Sequence, residues 1–365
     1  MKINKDQVWQ AMKEVIDPDF GKDLVSLNMV GEIKIKGNQI DIEVILTTPA
    51  CPLKAEIEQD INHKLKAILG DDISIAVSFG SKVTSMRQEL DLLPGVKNII
   101  AVSSGKGGVG KSTVSTNLAI GLAQTGAKVG LLDADIYGPS IPLMFGLAGQ
   151  RPIMQTIDGK DMIIPLERYG VKLLSIGFLI DPNQPVVWRG AMVTSTLKQF
   201  ITDVAWGELD YLVLDLPPGT GDIHLTLVQT IPITGAIVVS TPQQVAVADV
   251  IKSIAMFRME QIKVPILGLI ENMAYFTPEE LPDKKYYIFG KEGGKNLASK
   301  LEIPYLGEIP IVQSIREGGD EGIPAVLKDE TVSKEAFVRL ANELARQVSI
   351  RNEKVAATQI VEIKT

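Results

Sequence analysis

The chain has 365 residues, which at ~150 residues per domain gives two or three domains. With 22% charged and 45% hydrophobic residues it has a globular composition, and wholesale disorder is excluded. Its 37 basic and 44 acidic residues leave a formal charge of −7, so no global field draws it to nucleic acid or an anionic membrane. The single cysteine, Cys51, excludes an internal disulfide framework and a Cys-only metal site within one chain.

The first residues lack the apolar core of a signal peptide. Val8, Met12, Val15 and Ile16 recur at helical spacing until Pro18 stops them. Ile40, Ile42, Val44 and Leu46 alternate with polar residues, as a half-buried strand requires. Leu53, Ile57, Ile61, Leu65, Ile68 and Leu69 form one face of a helix that Gly70 ends, and Ile73, Ile75, Val77 and Phe79 alternate again. Residues 1–80 therefore read as a small α+β domain. Residues 81–97, mixed in polarity and closing on Pro94-Gly95, read as a linker with room for one short helix.

From residue 98 to 350 the texture changes to short apolar runs followed by turns and helical segments. The runs are Ile99–Val102, Val129–Leu132, Tyr211–Leu214, Ala236–Val239 and Ile266–Ile270. Continuous apolar strands suit a sheet covered on both faces, so this part reads as a doubly wound, mostly parallel α/β domain. Asp158-Gly159 is a hairpin signal. The longest uncharged stretch, Leu225 to Ala248, is broken by Pro232 and Pro242, so no membrane span is expected and a cytoplasmic location is. Residues 351–365 read as a frayed polar tail.

Ile99–Val102 runs directly into Gly105-Lys106-Gly107-Gly108-Val109-Gly110-Lys111-Ser112-Thr113, a G-x-x-x-x-G-K-[ST] loop between a strand and a helix. Glycines let successive backbone N–H groups turn inward around phosphate oxygens, and the helix N-terminus adds its dipole. Lys111 is placed to reach the β/γ-phosphates of ATP and Ser112 to ligate Mg²⁺. Asp133 and Asp135 close one apolar strand two residues apart, and Asp215 ends another, suiting it to ligate Mg²⁺ indirectly. The Leu216–Asp222 loop that follows, with two glycines, is flexible enough to sense a γ-phosphate.

The extra lysine in Gly105–Ser112 resembles the deviant phosphate loop of the MinD, ParA and nitrogenase-iron-protein class. That resemblance implies that Lys106 reaches the nucleotide of a second subunit, that the chain forms a homodimer closing on ATP, and that Asp135 contacts the attacking water. Leu131–Pro142, Trp188–Gly190, Asp215–Asp222, Glu271–Met273, Gly307–Pro310 and Ile315–Asp320 are together similar to the Mrp/ApbC iron–sulfur cluster carrier ATPases. This implies ATP hydrolysis, delivery of clusters to client apo-proteins, and an adenine contact for Asn272. Asp17–Leu27 and Thr47–Leu53 resemble the small domain of iron–sulfur assembly factors.

Cys51 just precedes Pro52, a good first helical residue, where a helix N-terminus favours thiolate; a small buried apolar residue is the equally weighted reading, and the resemblance tips it towards a cluster ligand. One departure matters. Such carriers place a C-x-x-C pair after the Glu-Asn-Met segment, and Ala274–Gly290 has no cysteine; Thr277, Pro278 and Glu279 stand there instead. Hard oxygens replace thiolate poorly on such clusters. The alternative is a nucleotide-switched scaffold that holds no cluster itself. Membrane or DNA positioning ranks last, because Lys354–Thr365 has no amphipathic pattern. His63 reads as a surface residue, and His224 could face the nucleotide or a partner.

Overall fold

The computed structural model describes residues 3–87, 93–180, 190–278, 281, 283–329 and 331–358, with the side chains at 190, 191, 194, 222 and 229 left aside. Trp188 and Arg189, Glu279 and the tail from 359 lie outside the described residues. Two compact units emerge: one runs to Thr84 and includes Ala345–Val355, the other runs from Ser85 to Leu344.

In the first unit α1 (Lys5–Met12) opens under a capping box, in which Asn4 and Gln7 satisfy each other's backbone N–H groups. The helix stops four residues short of the periodicity read from sequence. Val15 is buried, but Ile16 is exposed, because Ile16–Asp17 (β1) pairs antiparallel with Lys22–Asp23 (β2). Val30–Lys36 (β3), Gln39–Leu46 (β4) and Ser74–Ser81 (β5) form the sheet, β3–β4 antiparallel and β4–β5 parallel across α2 (Lys54–Leu69). Ile40, Ile42, Val44 and Leu46 all point into a core shared with Ile57, Ile61 and Leu65 of α2, so the alternation read from sequence is borne out.

Residues 351–354 are helix rather than tail, within Val332–Lys354. Arg351 and Asn352 are buried in the first unit, and the Asn352 amide donates to the Thr84 carbonyl. Arg346 there donates from Nε to Asp19 at 2.7 Å.

Among the described residues the second unit is built on an eight-stranded sheet. In chain order its elements are β6 (Val96–Ser104), α3 (Lys111–Gln124), β7 (Val129–Asp133), α4 (Ile141–Met144), β8 (Ile153–Ile157), β9 (Lys160–Ile164), β10 (Leu166–Arg168) and β11 (Val171–Ser175). Then come α5 (Gly190–Thr202), β12 (Leu209–Asp215), α6 (Asp222–Thr230), β13 (Gly235–Ser240), α7 (Gln244–Arg258), β14 (Ile266–Glu271), α8 (Gly293–Leu301), β15 (Tyr305–Glu308), α9 (Gln313–Glu321) and α10 (Val332–Lys354). The sheet order is β10-β11-β7-β12-β6-β13-β14-β15, parallel throughout except for β10. Every expected apolar run is one of its strands. β8 and β9 form a separate hairpin around Asp158 and Gly159, both at positive φ. Residues 82–87 and 93–95 of the expected linker contain no helix.

The chain leaves β6 towards β7 on one side and returns through β12 to cross to β13 on the other, which opens a crevice at the carboxyl ends of the central strands. In register, Asp133 and Val102 flank Asp215 there. The helix leaving β6 is buried nearly all round, from Val114 through Leu122. Gly121 permits this: a Cβ at that position would stand 2.9 Å from the Cβ of Ala341. Gly121→Val should therefore overpack the α3–α10 contact and lower unfolding free energy by about 1–3 kcal/mol. Urea denaturation checks this, and an unchanged midpoint would disprove the close-packing argument.

Candidate functional site

Gly108 and Gly110 carry φ of +79° and +81°, a conformation that side chains with a Cβ rarely adopt. At Gly110 the constraint is double, because a Cβ there would also collide with the amide nitrogen of Asn272. Gly110 is the N-cap of α3, so its turn aims the backbone of the loop and the helix N-terminus into one cavity. That cavity is about 210 Å³ and is lined by Lys106 through Thr113, with Asp135, Ser140 and Pro218 on its rim. The loop residues expected at a phosphate site are therefore together, and Asp135 stands with them. Gly105 is constrained from behind, since a Cβ there would strike the backbone of Asp249 and Val250.

Lys111 is the charged centre. Its ammonium is 2.9 Å from Asp215 Oδ2 and 3.7 Å from Asp135 Oδ2, with only 6% of the lysine side chain exposed. Asp215 is wholly buried, and its two oxygens accept hydrogen bonds from Ser112 Oγ and Ser115 Oγ, both at 2.6 Å. The serines lie three apart on α3, so one carboxylate fastens strand β12 to the helix after the loop. Sequence reading named Ser112 but missed Ser115; its only signal was that i+3 spacing.

The two acids at the end of β7 part ways because the strand stops at Asp133 and Asp135 stands in the turn beyond it. Asp133 is buried, accepts from Ser175 Oγ at 2.9 Å and from the Asp135 N–H at 3.1 Å, and so shapes the turn that presents Asp135. Burial first, and the nearby Asp215 charge second, push its carboxyl up. Asp135 is raised as well, by burial, with Lys111 opposing. Lys106 is partly exposed at the cavity mouth and forms no ion pair among the described residues.

Asn272 is 7% exposed, follows β14, and donates from Nδ2 to the Val109 carbonyl at 2.8 Å. It thus grips the loop from the side opposite Asp215. Beyond it, where a cysteine pair was sought, Phe276 bridges to Tyr286 and to Ile311, and the Lys285 ammonium sits 3.8 Å from the Tyr275 ring centre.

Cys51 belongs to the first unit, half-buried, and α2 starts only at Lys54, with Leu53 rather than Pro52 at its cap. Burial pushes its thiol up, with Asp17 and Asp19 adding to the effect and the Leu53 backbone opposing it, so the expected thiolate is not favoured here. His63 is exposed, as read. Among the described residues no three His, Cys, Asp or Glu side chains are grouped to hold a metal ion, and no helix is long and apolar enough to cross a membrane.

Residues 95–345 match the family described as the NUBPL iron-transfer P-loop NTPase, and residues 5–77 match the iron–sulfur cluster assembly protein family. The chain is 44% identical over 350 residues to a Synechocystis protein named iron–sulfur cluster carrier protein, covering 95% of this chain and 99% of that one. A Deinococcus radiodurans protein of the same name is 46% identical, with 95% and 96% covered. Among solved structures, an Archaeoglobus fulgidus nucleotide-binding protein in complex with ADP is 42% identical with a TM-score of 0.56, over 67% of this chain and 93% of that one. With its phosphate-loop geometry and a match spanning most of its length, the chain belongs to the iron-transfer P-loop NTPase family, as a nucleotide-binding member whose first unit matches the iron–sulfur cluster assembly domain.

Proposed function

We propose that this chain is an ATP-hydrolysing iron–sulfur cluster carrier that works as a homodimer and passes its cargo to client apo-proteins. The observation that carries the reading is the Lys111–Asp215–Asp135 arrangement at the mouth of a positive-φ glycine loop, in a chain similar almost end to end to proteins named cluster carriers.

Gly105 through Thr113 would hold the phosphates by backbone N–H groups. Lys111 is at present neutralised by carboxylates; a γ-phosphate offers stronger acceptors, and the ammonium can turn to it without leaving its buried place. Asp135, facing the same cavity, would orient the water that attacks phosphorus, and Lys106 from a second subunit would add positive charge as the phosphoryl group transfers. The Ser112 hydroxyl and the Asp215 carboxylate, 2.6 Å apart, are hard oxygen donors that fit Mg²⁺. That ion, when bound, supplies charge neutralisation on the phosphate oxygens.

A dimer holds two cysteines, whereas a four-iron cluster is ordinarily held by four. The same count favours a second reading, in which the chain is a nucleotide-switched scaffold that binds assembly factors and never holds the cluster.

Lys111→Ala is expected to lower kcat for ATP hydrolysis about 10³-fold. Asp135→Asn is expected to lower it about 10²-fold while changing ADP affinity by less than about threefold. Phosphate release and equilibrium ADP binding measure both, and wild-type turnover by the Lys111 variant would sink the site. Lys106→Ala should stay monomeric by light scattering with β,γ-imido-ATP, where the wild type dimerises. Anaerobic reconstitution with iron and sulfide, followed by absorption spectroscopy, separates the two readings. A transferable cluster lost in Cys51→Ser supports the carrier, and no cluster in either protein supports the scaffold.

A further inference from the structure

His224 stands in the first turn of α6, directly after the Leu216–Gly221 loop whose Pro218 lines the phosphate cavity. His224 is 1% exposed, and among the described residues neither Nδ1 nor Nε2 of its ring has a hydrogen-bond partner. Phe257 of α7 meets the ring edge-on with centroids 6.5 Å apart. Buried polar atoms are nearly always paired, so two orphaned nitrogens on one ring ask for a reason.

Burial, and more weakly the Lys111 charge, lower the imidazole to about 4. The ring is therefore neutral, with one nitrogen carrying a proton to give and the other able to accept. The backbone at Gly221 and Pro217 favours a protonated ring, yet neither carbonyl is in hydrogen-bond geometry with it.

The loop between these carbonyls has freedom to close that gap. Gly219 has φ +90°, and nothing lies within 4 Å of where a Cβ at Gly219 or Gly221 would stand. Pro217 and Pro218 have no N–H to anchor them. The Gly219 N–H donates to the Ser104 carbonyl at 2.9 Å, which ties the loop to the strand end that starts the phosphate loop. Pro218 thus lines the phosphate cavity, while Pro217 and Gly221 on either side of it carry the carbonyls that act on the unpaired ring.

We infer that His224 is a positioning residue: when a nucleoside triphosphate draws the Pro217–Gly221 loop over the phosphate cavity, the ring N–H takes the Pro217 carbonyl and holds the loop closed. This rests on the reading of the cavity as an ATP site. It requires no proton transfer by the ring and no contact between His224 and the nucleotide.

The test compares the full-length wild type with His224→Phe, which fills the space without a donor, and His224→Gln, which restores one. Two readouts are taken: steady-state ATP hydrolysis, and hydrogen exchange of residues 216–224 with β,γ-imido-ATP against ADP. His224→Phe is expected to lose about tenfold in kcat with KM for ATP within about twofold, the size of one lost hydrogen bond. It should also lose the triphosphate-dependent protection of the loop, while keeping wild-type ADP affinity and melting temperature. His224→Gln should recover kcat to within about threefold. Equal kcat and protection in His224→Phe and wild type, or equal impairment of the Gln and Phe variants, would overturn the proposal. So would a wild-type loop whose exchange ignores the triphosphate. If the wild type proves not to hydrolyse ATP, the exchange readout still decides: protection that the Phe variant loses keeps the latch while the hydrolytic reading falls.

Discussion

A single ammonium between two carboxylates organises the second unit. Lys111 is 6% exposed and Asp215 fully buried, and neither charge could stay there alone, since an unpaired charge in such a place is prohibitive. The pair is stable because Asp215 also accepts from Ser112 and Ser115, so both of its oxygens are hydrogen-bonded. Breaking the arrangement from either side would strand the other charge. Strand β12, helix α3 and the glycine loop between β6 and α3 are consequently locked into one geometry, and the parallel register of β7, β12 and β6 puts all the parts at the carboxyl end of the central strands. A phosphate entering the loop competes for an ammonium already desolvated and aimed, so little reorganisation remains for the binding step.

The neighbouring acid pair illustrates how burial divides labour between similar residues. Asp133 and Asp135 are two apart, but β7 ends at Asp133, so Asp133 stays inward while Asp135 follows the turn to the cavity. The inward one has its carboxyl raised by burial and by Asp215, and it spends its oxygens on Ser175 and on the backbone of the turn. A carboxyl held towards its neutral form spares the site a second uncompensated negative charge beside Asp215, and Lys111 need balance only Asp215 and the half-open Asp135. The same economy explains Asn272 and Gly110. The amide grips the Val109 carbonyl and stands where a Cβ would be, so the loop is fixed by uncharged contacts on the side away from the carboxylates.

How much of this was legible in sequence depended on separation along the chain. The phosphate loop, the apolar strands, the Asp158–Gly159 hairpin and the alternating Ile40–Leu46 strand are local patterns, and the structure carries each of them. Partnerships between residues 42 or 100 positions apart carry no such signature: nothing near Ser115 announces Asp215, and nothing near Ser175 announces Asp133. Ile16 was misplaced because helical spacing continues by chance into a segment where pairing with Asp23 supplies the backbone hydrogen bonds. Residues 351–354 look polar enough to fray, but Arg351 and Asn352 have buried sites in the first unit. The Cys51 reading relied on a helix starting at Pro52; with the helix beginning at Lys54, burial outweighs the dipole and the thiol keeps its proton.

Iron–sulfur chemistry then sets the terms on which a chain of this family can work with one cysteine. Clusters bind thiolate far better than hydroxyl or carboxylate, and the segment after Met273 offers Thr277 and a lysine on an aromatic ring. A protonated, half-buried Cys51 must first lose its proton, which an approaching iron ion favours, since metals deprotonate the thiols that bind them. Under the carrier reading, ligation by this chain is thus conditional on the arriving iron, and the two thiols of the proposed homodimer leave half the coordination of a four-iron cluster to other molecules. Under either proposed reading the nucleotide site acts on an assembly that includes a partner's or a small molecule's ligands. What ATP can govern through the loop over the phosphates is the lifetime of that assembly, because a bound state releases its cargo only when the contacts holding it differ between the two nucleotide states.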